Sequence, residues 1–200
     1  MSRYTPLALL VSLIPAYLAA QDSTASNATG FRGGQWAMQF GGNANLFSLG
    51  VLRFTSGHSA WLLDLANSAT VINATSTDKF SGTTTSADQQ FINLDVRLGK
   101  RFYQARHVNI VSFQTLAVEG GMSDQMIDMS AGNLRQTTWY TGLNGELGAA
   151  YMLTSGVSVG GTANFSAGYL SYKSNNPAAT ATGHGFYDGI RVLVALGLYF

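Results

Sequence analysis

The sequence predicts an all-β chain: an eight-stranded antiparallel up-and-down transmembrane β-barrel. Three observations carry that expectation. The first is the stretch from Ile190 to Phe200. Every second side chain there is bulky and apolar: Ile190, Val192, Val194, Leu196, Leu198 and Phe200. Arg191, Leu193, Ala195, Gly197 and Tyr199 lie between them. A period of two belongs to a strand with one greasy face. The second is composition. Only 10% of residues are charged, while 12% are aromatic; ordinary soluble proteins carry roughly 25% charged residues. Mean hydropathy is +0.10, which fits alternating strands better than membrane helices of about 20 continuous apolar residues. The third is spacing. Eight strand-like segments are separated by turns and polar stretches rich in Ser, Thr, Asn and Gly.

The terminal Val-Ala-Leu-Gly-Leu-Tyr-Phe, residues 194–200, resembles the C-terminal signature of small bacterial outer-membrane β-barrel proteins. The one departure is Ala195, where many members have Gly. The resemblance implies that Val194, Leu196, Leu198 and Phe200 form the signature read by the barrel-assembly machinery. It also implies both termini in the periplasm, tight periplasmic turns and longer outer loops. An open sheet edge in hydrocarbon would leave backbone groups unpaired, so such strands must close.

In chain order, Met1 to Ala20 reads as a secretory signal peptide: Arg3 ahead of the apolar run Pro6 to Leu18, then an imperfect small-residue site at Leu18-Ala19-Ala20. That run is too short for a membrane-spanning helix. Gln21 to Gly34 reads as a flexible lead-in. The barrel domain is expected over residues 35–200. Strand one alternates Trp36, Met38 and Phe40 against Gln35, Ala37 and Gln39. Strand two, Leu46 to Phe54, is ambiguous, because Phe47, Leu49 and Val51 compete with Leu46, Leu52 and Phe54; a bulge near Gly50 would reconcile them. Strand three puts Trp61, Leu63 and Leu65 outside, with Leu62 and Asp64 inside. Asn67 to Asp88 reads as a long polar loop. Strand four, Phe91 to Phe102, alternates cleanly: Ile92, Leu94, Val96 and Leu98 against Asn93, Asp95 and Arg97. Strand five, Val108 to Glu119, has unresolved parity, and Gly120 to Gln136 reads as a loop. Strand six puts Leu143, Leu147 and Tyr151 outside, with Asn144 and Glu146 inside. Strand seven, Val157 to Tyr172, sets Val159, Ala163, Phe165 and Tyr169 against Ser158, Thr162, Asn164 and Ser166. Lys173 to Gly185 reads as a loop before the last strand.

This parity points Asp64, Asp95, Arg97, Glu146 and Arg191 into the barrel. The bore of an eight-stranded barrel is just wide enough for side chains to fill. An interior charge must therefore pair, and the expected outcome is a plug of ion pairs rather than an ion path. Trp36, Trp61, Trp139, Tyr140, Tyr169, Tyr172, Tyr199 and Phe200 read as interface girdles. The Gly-Gly pairs read as strand ends, bulges and curvature. The chain has no Cys, which excludes disulfides, thiolate catalysis and Cys-ligated metal. His58, His107 and His184 fall at turns or loops without metal-ligand spacing, so no metal, cofactor or catalytic residue is assigned. A net charge of +1 leaves no nucleic-acid footprint.

The functional expectation is an integral outer-membrane barrel, exported by the general secretory route and monomeric. Its partners are outer-membrane lipids and the assembly machinery. Its role is structural or one of surface interaction, and it forms at most a narrow pore. Two rivals stand beside it: a soluble exported barrel that carries an apolar ligand, with its greasy face inward, and a lipid A-modifying outer-membrane enzyme.

Overall fold

In the computed structural model, which describes residues 30–77, 84–107, 109–129, 132–175 and 179–200, strands pair in chain order and the last closes on the first. They are β1 (Trp36–Gly42), β2 (Phe47–Ser56), β3 (Ser59–Thr77), β4 (Thr84–His107), β5 (Ile110–Met129), β6 (Gly132–Thr154), β7 (Val157–Asn175) and β8 (Thr180–Tyr199). All pairings are antiparallel. Residues 1–20, read above as a signal peptide, and most of the lead-in lie outside the described residues. Below, the terminal end is the one holding both the start of β1 and the finish of β8; the other is the distal end.

The register fixes the shape. From Phe40 the pairing runs through Leu49, Leu65, Val96, Gly120, Thr141 and Tyr169 to Phe186, yet Phe40 itself pairs with Leu196. The ring therefore closes with a stagger of ten residues. For eight strands that stagger matches a tilt near 40°. Trp139 and Tyr151 both face outward on β6, twelve residues apart. At about 3.3 Å per residue and that tilt, they are about 30 Å apart along the axis, the thickness of a bilayer's hydrocarbon core.

The outer wall between those levels is apolar. Ile190, Val192 and Val194 are 70%, 67% and 66% exposed, whereas Leu193 and Ala195, of the opposite parity, are buried. Leu63, Leu65, Leu94, Val96, Leu98, Leu116, Val118, Leu143 and Leu147 face outward as well. Strand five takes the parity that puts Val111, Phe113, Thr115, Ala117 and Glu119 inside, all buried.

Several sequence expectations change. No bulge occurs at Gly50: β2 pairs with β3 without a break from Phe47 to Phe54. Both apolar sets of strand two are genuine, one on each face. Leu52 and Phe54 are 1% exposed because the terminal end of the bore is itself apolar. It holds Phe31, Phe54, Tyr103 and Phe113 in one cluster, with Tyr199 packed against it. The Phe31 ring lies 4.6 Å from Phe54 and 4.9 Å from Tyr199, centroid to centroid. Thus the end of the lead-in is part of the core, and Tyr199 belongs to the interior rather than to a girdle. Tyr140 also points inward.

The three polar stretches read as loops are mostly strand. β3 and β4 stay paired out to Thr77 and Thr84, β5 and β6 to Met129 and Gly132, and β7 and β8 to Asn175 and Thr180. Their residues are mostly polar in sequence, with no sustained apolar alternation to reveal them, but the ladder hydrogen bonds continue. His184 accordingly sits in β8, its ring 6.0 Å from that of Tyr169. The register shifts that do occur flank the terminal turns, at Phe54/Ser56, Ala105/His107 and Met152/Thr154.

Candidate functional site

Period two places the chemistry-bearing side chains on the inner face, and register decides which of them meet. One row of paired positions runs Arg101, Thr115, Glu146, Asn164 and Arg191 across β4 to β8. A second, toward the distal end, runs Asp64, Arg97, Glu119, Gly142, Gly168 and Tyr187 across β3 to β8. A third includes Asp95, Gly121 and Tyr140.

The first row lies directly on the aromatic cluster. Arg101 Nη2 donates to Glu146 Oε2 at 2.7 Å, and both side chains are 2% exposed. Arg101 Nε donates to Thr115 Oγ1 at 2.9 Å, and Thr115 Oγ1 in turn donates to Glu146 Oε2 at 2.7 Å. Arg101 Nη1 reaches across the bore to Gln39 Oε1 on β1. The guanidinium carbon stands 4.2 Å from the Phe113 ring centroid, so the cation also rests on a π face. Phe113 pairs with Gly148, where a Cβ would run into the ring. That glycine is required by the close approach.

In the second row Arg97 pairs with Asp64 beside it and with Asn164 Oδ1 across the bore. Glu119, 3% exposed, accepts from neutral donors: Asn144 Nδ2 at 3.1 Å, Ser166 Oγ at 3.0 Å and Tyr187 Oη at 2.8 Å. Tyr187 reaches it by lying over Gly142 and Gly168; a Cβ on Gly142 would stand 2.6 Å from the tyrosine oxygen. The third row repeats the device. Tyr140 crosses Gly121 to donate to Asp95 Oδ1, and Asp95 Oδ2 accepts from Arg191 Nη1 at 2.7 Å. In both rows glycine fills every register position between an acid and a tyrosine: Gly142 and Gly168 between Glu119 and Tyr187, Gly121 between Asp95 and Tyr140. Glycine here makes room for a ring, not for a bulge.

Asp64, Asp95, Arg97, Glu146 and Arg191 thus all project into the bore, where they close three separate ion pairs, Asp64–Arg97, Glu146–Arg101 and Asp95–Arg191. Sequence reasoning missed Arg101 and Glu119, and with them the two tyrosines. Arg101 has the parity of Arg97, two positions beyond Gly99, and that signal was available. Glu119 was hidden by the unresolved parity of strand five. Chemically, the arrangement closes the bore. Among the described residues, a void of about 10 Å³ beside Gln39, Arg101, Phe113, Ser158 and Tyr199 is the size of one water. Among the same residues no three His, Asp or Glu side chains group to hold a metal ion. On the outer face, Val194, Leu196, Leu198 and Phe200 lie in one line toward the terminal rim, and Phe200 exchanges backbone hydrogen bonds with Trp36 at 3.0 Å.

No protein-family model and no curated protein matches the sequence. Solved structures do match. A major outer membrane protein from Thermus thermophilus aligns with 83% of this chain and 99% of its own, at 11% identity and a TM-score of 0.58. The attachment invasion locus protein Ail of Yersinia pestis aligns with 83% of this chain and 94% of its own, at 11% identity and a TM-score of 0.44. CarO2 of Acinetobacter baumannii aligns with 83% and 98%, at 10% identity and a TM-score of 0.41. What this chain shares with the Thermus protein is the fold: an all-β, eight-stranded, up-and-down barrel.

Proposed function

We propose that the chain is an integral outer-membrane protein with a structural or surface-interaction role, its bore too full to be more than a narrow pore. One observation carries this reading. Ile190, Val192 and Val194 look away from the barrel while Arg191 looks in, toward Asp95. A soluble carrier of an apolar ligand would need the reverse, a greasy and open interior. Here the interior is filled by arginines and carboxylates over an aromatic stopper, and the apolar band is as tall as a bilayer is thick.

The surface role is supported by the unequal strands. β2 pairs with β3 only as far as Asn67, and β1 with β8 only as far as Val194. Beyond those points β3 and β8 run on as the two edges of a six-stranded sheet that turns polar toward its distal end. The backbone carbonyl of Val192 takes a hydrogen bond from Asn43 Nδ2 in the β1–β2 turn at 3.4 Å. Strand edges are where a sheet accepts another chain. In this reading the distal sheet faces the exterior and the termini face the periplasm. The line Val194, Leu196, Leu198 and Phe200 is the assembly signature, export uses the general secretory route, and the protein works as a monomer.

Refolding separates the readings. The protein should require detergent or lipid to fold, and should migrate differently on a gel before and after boiling. In planar bilayers it should conduct little or nothing. A chain that stays soluble and folded without detergent after removal of residues 1–20 would overturn the proposal.

A further inference from the structure

The outer wall carries a charge pattern that the closed bore does not explain. Trp36, Arg53, Trp61 and Lys100 pair in register from β1 to β4, and all face outward. The Arg53 guanidinium lies 5.4 Å from the Trp36 ring centroid. The Lys100 ammonium lies 6.0 Å from that of Trp61 and 5.5 Å from that of Phe102. Phe102 is two residues nearer the terminal end, so the lysine leaves the wall within the apolar band and bends back toward the terminal rim. That is snorkelling. Neither cation has a carboxylate partner among the described residues. Nor does any Asp or Glu face outward along residues 36–42, 47–56, 59–67 or 92–102, since Asp64 and Asp95 are turned inward. At the same rim β5 to β8 present no outward charge: the residues there are Ser112, Gln114, Ala149, Tyr151, Val159 and Leu198.

We propose that this face binds the headgroup of an anionic phospholipid in the leaflet next to the terminal rim. The proposal rests on the membrane-spanning reading above. A cation rising from a lipid-facing wall must find an anion or pull in water. Here two do so, two strands apart, about 10 Å at the backbone. Both have long side chains, and the indole of Trp61 lies in register between them. Toward the bilayer centre the adjacent register row is Val51, Leu63 and Leu98, an apolar bed for the acyl chains. Phosphate between Arg53 and Lys100, with tails along that row, satisfies both parts of the surface. The site occupies one side of the barrel, so it would select a lipid at a place, not merely attract a charged leaflet.

The chain has three Trp, and Trp139 lies at the distal girdle. In a Trp139→Phe background, fluorescence therefore reports Trp36 and Trp61, which flank the site. The barrel is reconstituted in phosphatidylcholine vesicles containing a minor fraction of brominated phosphatidylglycerol or, in parallel, brominated phosphatidylcholine. One basic residue near the surface favours an anionic lipid by about fivefold. The expected quenching thus corresponds to at least about that enrichment of the glycerol lipid. The preference should fall to near unity in Arg53→Gln/Lys100→Gln and persist in Lys173→Gln. The single change Arg53→Gln, at the exposed rim, should lose part of it and serves if the double variant does not fold. Excess soluble glycerol phosphate should leave the pattern unchanged. Equal quenching by the two lipids, a preference that survives the double change, or displacement by glycerol phosphate would each overturn the site while leaving the membrane reading intact. Absence of quenching by either lipid would remove both.

Discussion

Two ion pairs in the bore have the same length and different surroundings. Arg101–Glu146 and Arg191–Asp95 both close at 2.7 Å. The first pair sits on the aromatic cluster with both side chains 2% exposed; in the second, Arg191 is 35% exposed and Asp95 6%. Distance alone would rank them equal. The physical difference is whether water can replace a lost partner. Arg101 is held between Phe113, Gln39 and Thr115 with almost no exposure, whereas Arg191 lies toward the open distal sheet. The bore is therefore graded, from a dry structural lock at the terminal end to a wetter polar network above it.

The largest expected effect follows at the dry end. Glu146→Ala leaves Arg101 as a buried unpaired cation, which costs about 3–5 kcal/mol. The urea midpoint for unfolding from bilayers should fall accordingly. Replacing both partners with apolar residues of similar volume should recover much of that loss. If Glu146→Ala shifts the midpoint no more than Asp95→Asn does, the graded bore is wrong.

Next in size is a test of the outer wall against the inner one. Val194→Arg puts a cation on the lipid face and should destabilise by about 2–4 kcal/mol at mid-bilayer depth. Lys100 shows how a cation on this wall is tolerated, by lying against the Trp61 and Phe102 rings. An unchanged midpoint for Val194→Arg would mean that this face does not meet hydrocarbon.

How much of this was legible in the sequence depended on whether the two faces of a strand differed. On β8 and β4 one face is aliphatic and the other polar or small, so Ile190, Val192 and Val194 and the inward Asp95, Arg97 and Arg191 could be read directly. On β2 both faces are apolar, because Leu52 and Phe54 join the aromatic stopper; alternation then cancels, and the extra hydrophobes mimic a bulge. Beyond the apolar band the strands are mostly polar in sequence, and residues 67–77 look like a loop although every residue is in the ladder. Contacts between rows were not legible at all. That Tyr187 reaches Glu119 over Gly142 and Gly168 depends on the registers between β5 and β8, which no local pattern encodes.

A smaller effect is expected at the wetter pair. Asp95→Asn removes the charge opposite Arg191 but keeps an acceptor for Tyr140 and leaves the guanidinium within reach of water. The loss should be about 1 kcal/mol. It should also shrink as salt rises, unlike the loss at Glu146, because ions screen only the charges they can approach. A loss at Asp95 as large and as salt-insensitive as that at Glu146 would show that the distal network is as dry as the lock.

The smallest effect belongs outside the bilayer, on the distal sheet. Arg135 Nη2 donates to Asp124 Oδ2 at 2.7 Å, Arg135 Nε to Oδ1 at 3.1 Å, and Thr137 Oγ1 to Oδ1 at 3.0 Å. The hydrogen bond from Arg135 chiefly holds the Asp124 carboxyl below the usual aspartate range, against the opposing cost of burial and with a smaller contribution from Thr137. A carboxyl whose folded value is depressed stabilises the fold above its unfolded value, and that contribution disappears as pH falls through the folded one. Asp124→Asn should therefore differ slightly from the parent at neutral pH and not at all in acid strong enough to protonate the native carboxyl. Because Arg135 is freely solvated, the neutral-pH difference should be close to the scatter of the midpoint and vanish in high salt. A difference that grew as pH fell would have the wrong sign for a paired carboxylate and would break the correspondence between dryness and strength at its weak end.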